Sequence, residues 1–317
     1  MTKKKKSSNQ STEKLLAKLT KELEKQNFET GEEINKYLQE YVDGNELDFD
    51  EDVELTDAQK AQDLVWDAWE LEYADDRIEL ALQALKLDEN CADAYNLLAA
   101  DKADNYLEIL NYYLKAIKAG KKTLGKEFEE LKGEFWGFHQ TRPYMRAMAG
   151  LAYTYLHSNQ IQKAVDTWKE MLELNPNDNQ GVRYPLITAI LAVKKYKDAE
   201  KLINDYKDDG SATWLYSKAY LFFNQKNKKP LATKALVKAM LFNPYIPLYM
   251  FSLREMPDEP PEYVGFGDEN EAIEYTGSAI YLWGENKKAL NWLVDIHRKN
   301  ADDLDMLIIE REKERDS

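Results

Sequence analysis

The chain of 317 residues carries 43 lysines and arginines against 58 aspartates and glutamates, a formal net charge of −15. This acidic balance argues against a nucleic-acid-binding protein, because phosphate contacts need a basic surface. The length fits two domains or one elongated array, and the 44% apolar content is enough for a sizeable core.

Two short segments precede the main part of the chain. Residues 1–25 hold eight lysines and three glutamates. Leucines at helical spacing predict a loose helix from Thr12 to Gln26 in this otherwise partly disordered tail. A second helix is predicted from Gly31 to Val42, within a segment, 26–55, that ends in an acidic linker.

From Thr56 onward, helical patterns follow one another almost without interruption. Thr56 stands at an N-cap position, with Gln59 three residues later as the partner of a capping box. The clearest unit runs from about Met145 to Asp178, where small residues let two helices approach and Pro176 ends the second helix. Its length of ~34 residues and its pattern of small and aromatic positions are typical of a tetratricopeptide repeat.

Weaker copies of this pattern give about six helix pairs in total. The five further pairs are Thr56–Asp88, Cys91–Lys121, Gln180–Thr213, Trp214–Pro247 and Asn270–Asn300. We therefore predict an all-α fold, a right-handed superhelix (solenoid) of tetratricopeptide-type helix pairs over residues 56–300, followed by a charged tail, 301–317. No run of ~18 apolar residues predicts a membrane span, and the lysine-rich start lacks the apolar stretch of a secretory signal.

Several stretches resemble a known family. They are Cys91–Ala100 (CADAYNLLAA), Thr141–Arg146 (TRPYMR), Asn175–Tyr184 (NPNDNQGVRY), Lys238–Tyr249 (KAMLFNPYIPLY) and Gly267–Tyr275 (GDENEAIEY). Over residues 56–295 the chain resembles tetratricopeptide-repeat proteins in general and the suppression-of-tumorigenicity-seven family in particular. Bacterial-type soluble members look closer, because the eukaryotic proteins add membrane-spanning segments. The resemblance implies a fold and no catalytic activity.

The sequence contains no strong catalytic, cofactor or metal motif. The three histidines have no metal-ligand spacing, and no Walker-type phosphate loop occurs. The acidic run Asp48–Asp52 lacks the glycine and distal glutamate of a calcium loop. The single cysteine, Cys91, excludes an intramolecular disulfide and favours a reducing cytoplasm. It is either a reactive thiol at a helix start or a small packed side chain.

The best candidate site is a concentration of aromatic and cationic residues beside the clearest repeat. Helical spacing and the matching place in the next unit assign it Trp136, His139, Arg142, Arg146, Tyr153, His157, Arg183 and Tyr184. A groove lined by these residues suits an acidic or C-terminal-carboxylate peptide. In the alternative interpretation, the aromatics fill a gap between repeats and the arginines pair with local carboxylates such as Glu134 or Asp178.

The sequence therefore favours a non-catalytic scaffold or adaptor that binds a protein partner in the concave groove of its repeats. One alternative is an enzyme or small-ligand binder that uses the Trp136–Arg146 insertion. A weaker alternative, resting on charge alone, is an acidic regulator of a basic partner. No motif indicates the partner or the oligomeric state.

Overall fold

The computed structural model describes residues 8–25, 28, 30–42 and 55–315, and every regular element within them is a helix. The predicted all-α class is confirmed for this part of the chain. The α-helices are α1 Ser8–Lys25, α2 Gly31–Val42, α3 Asp57–Trp69, α4 Ala74–Leu87, α5 Ala92–Asp101, α6 Tyr106–Leu124, α7 Glu127–Glu130, α8 Arg142–His157, α9 Ile161–Leu174, α10 Arg183–Ala192, α11 Tyr196–Asp205, α12 Ala212–Asn224, α13 Lys229–Phe242, α14 Ile246–Met250, α15 Glu269–Glu285, α16 Lys287–Lys299 and α17 Ala301–Arg315. Two 3-10 helices, Phe135–Gly137 and His139–Thr141, precede α8.

Each predicted helix pair coincides with two consecutive helices: α3–α4, α5–α6, α8–α9, α10–α11, α12–α13 and α15–α16. Alanines of the pattern are buried, and Ala81 in α4, Ala116 in α6 and Ala219 in α12 are fully so. An alanine at such a position lets the neighbouring helix approach closely, which explains the small positions of the pattern. Within the described residues, none of the helices is both long enough and apolar enough to cross a membrane.

Local signals in the sequence set several helix ends. The Thr56 hydroxyl accepts from the Gln59 amide at 3.3 Å, and the Gln59 side chain accepts from the Thr56 amide at 3.0 Å. This reciprocal capping box starts α3 as predicted. Pro143 lies in the first turn of α8, where its missing donor costs nothing.

The described helices fall into two compact units. The first contains the described residues up to Asn159 together with Glu170–Asn179. In it, α3, α4, α5, α6 and α8 pack in succession, and α1 lies against α3 and the second 3-10 helix. The connection between α6 and α8 is filled by Phe128, Phe135 and Tyr144, whose ring centroids lie 5.1–6.1 Å apart.

Part of the predicted N-terminal tail is therefore a packed helix, α1. Its Lys14 ammonium lies 2.7 Å from the Asp67 carboxylate of α3. The helix predicted from Gly31 to Val42 is present as α2. The lysine run near the start of the chain and the acidic run Asp48–Asp52 lie outside the described residues.

The second unit contains Gln160–Lys169 and the described residues from Gln180 onward. Here α10, α12 and α15 pack together, with α13 against α16 and α17. The predicted tail 301–317 contains α17, whose Leu304 and Ile308 are buried. Arg311 of α17 donates to the carbonyl oxygens of Gly267 and Phe242, so it satisfies a carbonyl at the end of α13.

One buried carboxylate joins three separated segments of the second unit. Glu271, in the first turn of α15, accepts from the amide of Ala212 at 2.8 Å, the side-chain amide of Asn243 at 3.0 Å and the amide of Gly267 at 2.7 Å. These donors lie at the start of α12, just after α13 and just before α15. The long Pro247–Gly267 connection is thereby fixed at its end.

We predict that Gly267→Ala lowers the free energy of unfolding of the second unit by about 1–3 kcal/mol. Gly267 has φ +75°, and a Cβ there lies 2.9 Å from the Phe242 carbonyl oxygen. An alanine is therefore disfavoured both by the positive φ and by the close approach of its Cβ to the carbonyl oxygen. Denaturant unfolding measures the change. The control is Gly284→Ala in α15, where a Cβ meets open space and should be neutral or slightly stabilising. Equal stability of the two variants would contradict this account.

Candidate functional site

The candidate site of the first unit is built on the first turns of α8. Arg142 and Arg146 are four residues apart on this helix, so they share a face. Two like charges at this spacing repel one another unless a carboxylate compensates them. The arrangement of carboxylates around the two guanidinium groups therefore decides what the site can bind.

Arg146 uses one edge of its guanidinium for a fixed internal partner. Its Nε donates to Asp93 Oδ1 at 2.9 Å and its Nη2 to Asp93 Oδ2 at 2.6 Å. The guanidinium also lies 5.0 Å from the ring centroid of Trp69. Bidentate pairing and stacking together fix the plane of the group.

Asp93 is completely buried near the start of α5. It also accepts from Gln62 of α3 at 3.1 Å and from Asn96 at 3.0 Å. Asn96 in turn donates to the Pro143 carbonyl oxygen at 2.9 Å, which links α5 to the start of α8. A buried carboxylate needs such partners to remain charged. Asp93 is therefore the anchor that positions Arg146.

The remaining edge of each guanidinium points to Glu13 of α1. Nη1 of Arg146 lies 2.9 Å and 3.0 Å from the two Glu13 carboxylate oxygens, and Nη1 of Arg142 lies 3.4 Å from one of them. The Glu13 side chain is only 7% exposed. Arg142 is itself held by the Trp136 carbonyl oxygen at 3.1 Å and stacks on the Trp136 ring at 5.2 Å. Two positioned donors thus converge on one carboxylate.

The electrostatics of the site favour charged groups. Burial alone lowers the pKa of a guanidinium, but Asp93 and Glu13, by charge and hydrogen bonding, hold the pKa of Arg146 above its usual value. Two arginines face two carboxylates, so the charges balance. We call Trp69, Asp93, Arg142 and Arg146 the arginine site, with Glu13 as its bound carboxylate.

The other predicted residues of this unit lie around or beyond the arginine site. Trp136 and His139 are half-buried in the two 3-10 helices next to Arg142. Tyr153 and His157 are exposed further along α8, and their ring centroids lie 6.3 Å apart. Of these four residues, Trp136 contacts an arginine of the site, since the Arg142 guanidinium lies over its ring.

Arg183 and Tyr184 belong to the second unit. The Arg183 Nε donates to Asp209 at 2.8 Å, and its guanidinium lies 4.4 Å from the Tyr184 ring centroid and 5.3 Å from that of Tyr206. Burial opposes ionisation of Asp209, but hydrogen bonds from Ser211 and the charge of Arg183 bring its pKa below the usual value. Arg183 and Asp209 therefore form a local ion pair, and the rings of Tyr184 and Tyr206 pack against the guanidinium.

Sequence reasoning proposed Glu134 or Asp178 as carboxylate partners and missed Glu13 and Asp93. Asp93 had a detectable signal, since it is a lone acid, followed three residues later by Asn96, inside the otherwise apolar Cys91–Ala100 stretch. A charge in such a segment indicates a buried ion pair. Glu13 lies 133 residues from Arg146, and nothing in the sequence pattern relates the two.

In the described part of the chain, no three acidic, histidine or cysteine side chains are grouped so that they could hold a metal ion. Cys91 is buried at the N-cap of α5. Burial raises the pKa of its thiol to about 12, and the charge of Asp93 adds to this effect. The packed interpretation of Cys91 therefore fits the structure better than a reactive thiol.

Fold and site together define an all-helical protein that holds an acidic side chain between paired arginines. The sequence model of the ST7 protein family matches residues 43–307, and the chain belongs to this family. It is 26% identical over 262 residues to the suppressor of tumorigenicity 7 protein-like of Gallus gallus, covering 75% of this chain and 47% of that protein. The protein of the same description from Homo sapiens is 26% identical over 250 residues, covering 71% and 43%. The protein ST7 homolog of Caenorhabditis elegans is 24% identical over 264 residues, covering 71% and 48%. The chain spans about half the length of the curated relatives it matches.

We predict that Arg146→Ala lowers the free energy of unfolding of the first unit by about 3–5 kcal/mol, because it leaves Asp93 buried without a cation. The double variant Arg146→Ala/Asp93→Ala should lose less than the sum of the two single variants. Denaturant unfolding of the four proteins measures the coupling. As a control, Lys122→Ala breaks an exposed pair with Glu89 at 3.2 Å and should change stability little. Additive losses would contradict the coupling.

We also predict that Cys91 is almost inert in the native protein. With a pKa of about 12, about one thiol in a thousand is ionised at pH 9, and the thiolate is the reacting form. Alkylation by iodoacetamide, followed by mass spectrometry, should be at least 100-fold slower in native than in denatured protein. A native rate within tenfold of the denatured rate would contradict this prediction.

Proposed function

We propose that the protein is a non-catalytic scaffold whose arginine site binds an acidic segment of a partner protein. The observation that carries the proposal is the convergence of Nη1 of Arg142 and Nη1 of Arg146 on the Glu13 carboxylate. The same donors suit a carboxylate brought by another chain.

The arginine site has features that support recognition. Asp93 holds Arg146, and the Trp136 carbonyl holds Arg142, so neither long side chain must be ordered when a ligand arrives. Charge-assisted hydrogen bonds in a partly desolvated place are roughly twice as strong as neutral ones. Trp69 and Trp136 add flat apolar surface beneath the charges, as in the centres of many interfaces.

The helix pairs support the same proposal. We infer that the six pairs are tetratricopeptide-type repeats arranged as a superhelix, and that the chain resembles the bacterial-type members of its family. The buried alanines of each pair and the Asn175–Pro176 ending after α9 are the sequence features that support the repeat type. Arrays of this kind bind extended or helical peptides along one face.

The proposal predicts a partner that depends on the arginine site. Affinity purification of the full chain from its native host, with quantitative mass spectrometry, should recover a protein whose yield falls at least fivefold with Arg142→Ala. Trp136→Ala should lower the same yield, because it removes the surface on which Arg142 stacks.

The control variant is Arg298→Ala, which removes an exposed arginine of α16 in the second unit. It should recover the partner at the wild-type yield. Thermal unfolding of all variants separates loss of binding from loss of fold. Recovery unchanged by Arg142→Ala would remove the arginine site from the function.

A further inference from the structure

The carboxylate in the arginine site comes from outside the part of the chain shared with the family. The family match begins at residue 43 and ends at 307. Trp69, Asp93, Arg142 and Arg146 lie within it, and Glu13 precedes it. The site is therefore built by the family core, whereas the group that occupies it is contributed by an additional helix, α1.

Two consecutive charged side chains of α1 contact the rest of the first unit. Glu13 enters the arginine site, and the next residue, Lys14, lies 2.7 Å from Asp67 of α3. Leu16, Leu19 and Leu23 are each only half-buried, and Leu15 is 38% exposed. Since exposed ion pairs contribute little and these leucines are incompletely covered, the buried Glu13 pair is an important anchor of α1.

Several contacts that position the two arginines come from outside α1. Asp93 holds Nε and Nη2 of Arg146, and the Trp136 carbonyl oxygen holds Nε of Arg142. Without α1, both Nη1 groups would lack the Glu13 carboxylate while remaining four residues apart on α8. The vacated site therefore favours another carboxylate, because two neighbouring cations repel without one.

Resting on the proposed function, we propose that α1 is an intramolecular occupant of the arginine site, which an amphipathic helix of a partner protein displaces by inserting a glutamate carboxylate. The contacts of α1 define the partner helix. It carries a glutamate at the place of Glu13, a basic residue immediately after it to meet Asp67, and apolar residues three, six and ten positions later, as Leu16, Leu19 and Leu23 are placed.

Tethering makes this competition effective. Because α1 and the arginine site belong to the same chain, their association is intramolecular and does not depend on protein concentration. A partner then meets a site that is free in only a fraction of the molecules. The apparent Kd of the partner equals its intrinsic Kd divided by that fraction. Releasing α1 should strengthen partner binding without altering the arginine site.

The test uses a fluorescein-labelled peptide of residues 8–25 with blocked ends as the glutamate-bearing helix; it carries four lysines and three glutamates. Full-length wild-type protein and the Glu13→Lys variant are titrated into it, and fluorescence anisotropy gives Kd. We expect the variant to bind the peptide at least tenfold more tightly, because a lysine beside Arg142 and Arg146 expels α1. The same peptide carrying Glu13→Gln should bind the variant at least tenfold more weakly.

The matched control is Glu130→Lys, the same charge reversal at an exposed residue of α7, which should bind as wild type does. Hydrogen exchange with mass spectrometry should show faster exchange of residues 8–25 in Glu13→Lys and unchanged exchange in α3 to α8. Glu13→Gln serves as the milder variant if the charge reversal perturbs folding, and it should shift Kd in the same direction.

The outcomes separate the two proposals. Equal, measurable binding of the peptide by wild type and Glu13→Lys would overturn the role of α1 and leave the proposed function standing. Unchanged exchange of residues 8–25 in the variant would do the same. If Glu13→Lys releases α1 but binds no peptide, both the acidic-segment function and the displacement are overturned.

Discussion

A carboxylate removed from water must be compensated by a cation or by hydrogen-bond donors, and the first unit is organised around this constraint. Asp93 is completely buried, and the Arg146 guanidinium donates two hydrogen bonds to its carboxylate. Gln62 and Asn96 donate further hydrogen bonds to the Asp93 carboxylate, and Asn96 also donates to the Pro143 carbonyl oxygen. These hydrogen bonds join α3, α5 and the start of α8 around one buried carboxylate. The pairing contributes geometry more than stability, since buried pairs often only break even against apolar residues. The pairing fixes the orientation of the Arg146 guanidinium, and Nη1 of this group remains available to donate to another carboxylate.

That orientation distinguishes the site from an ordinary surface arginine. A free arginine side chain loses considerable rotamer entropy when it binds a ligand. In this protein the loss has already occurred on folding, because Trp69 and Trp136 support the two guanidinium planes. Arg142 and Arg146 opposite Asp93 leave one positive charge within a chain that is acidic in total, and the Glu13 carboxylate balances it.

The sequence predicts the features of this protein that depend on neighbours along the chain. The capping box of Thr56 and Gln59, the position of Pro143 and the shared face of Arg142 and Arg146 follow from spacings of three or four residues. The partners of those arginines do not, because Glu13 and Asp93 reach the site only through packing of distant helices. The sequence does indicate a buried role for Asp93, because it is a lone acid in an apolar helix. It gives no such indication for Glu13, because a glutamate in a lysine-rich segment has the same sequence pattern whether it faces solvent or packs against another helix.

The buried carboxylate of the second unit bears on how the chain folds. In an ideal repeat array, each helix pair interacts only with its neighbours, and folding can begin anywhere and spread one repeat at a time. Glu271 departs from that scheme, because it accepts hydrogen bonds from segments 59 and 28 residues earlier in the chain as well as from the adjacent turn. The Glu271 carboxylate oxygens receive all three hydrogen bonds only when the three segments have assembled. The second unit should therefore form in a concerted step with a higher contact order, and so more slowly, than a simple stack of helix pairs.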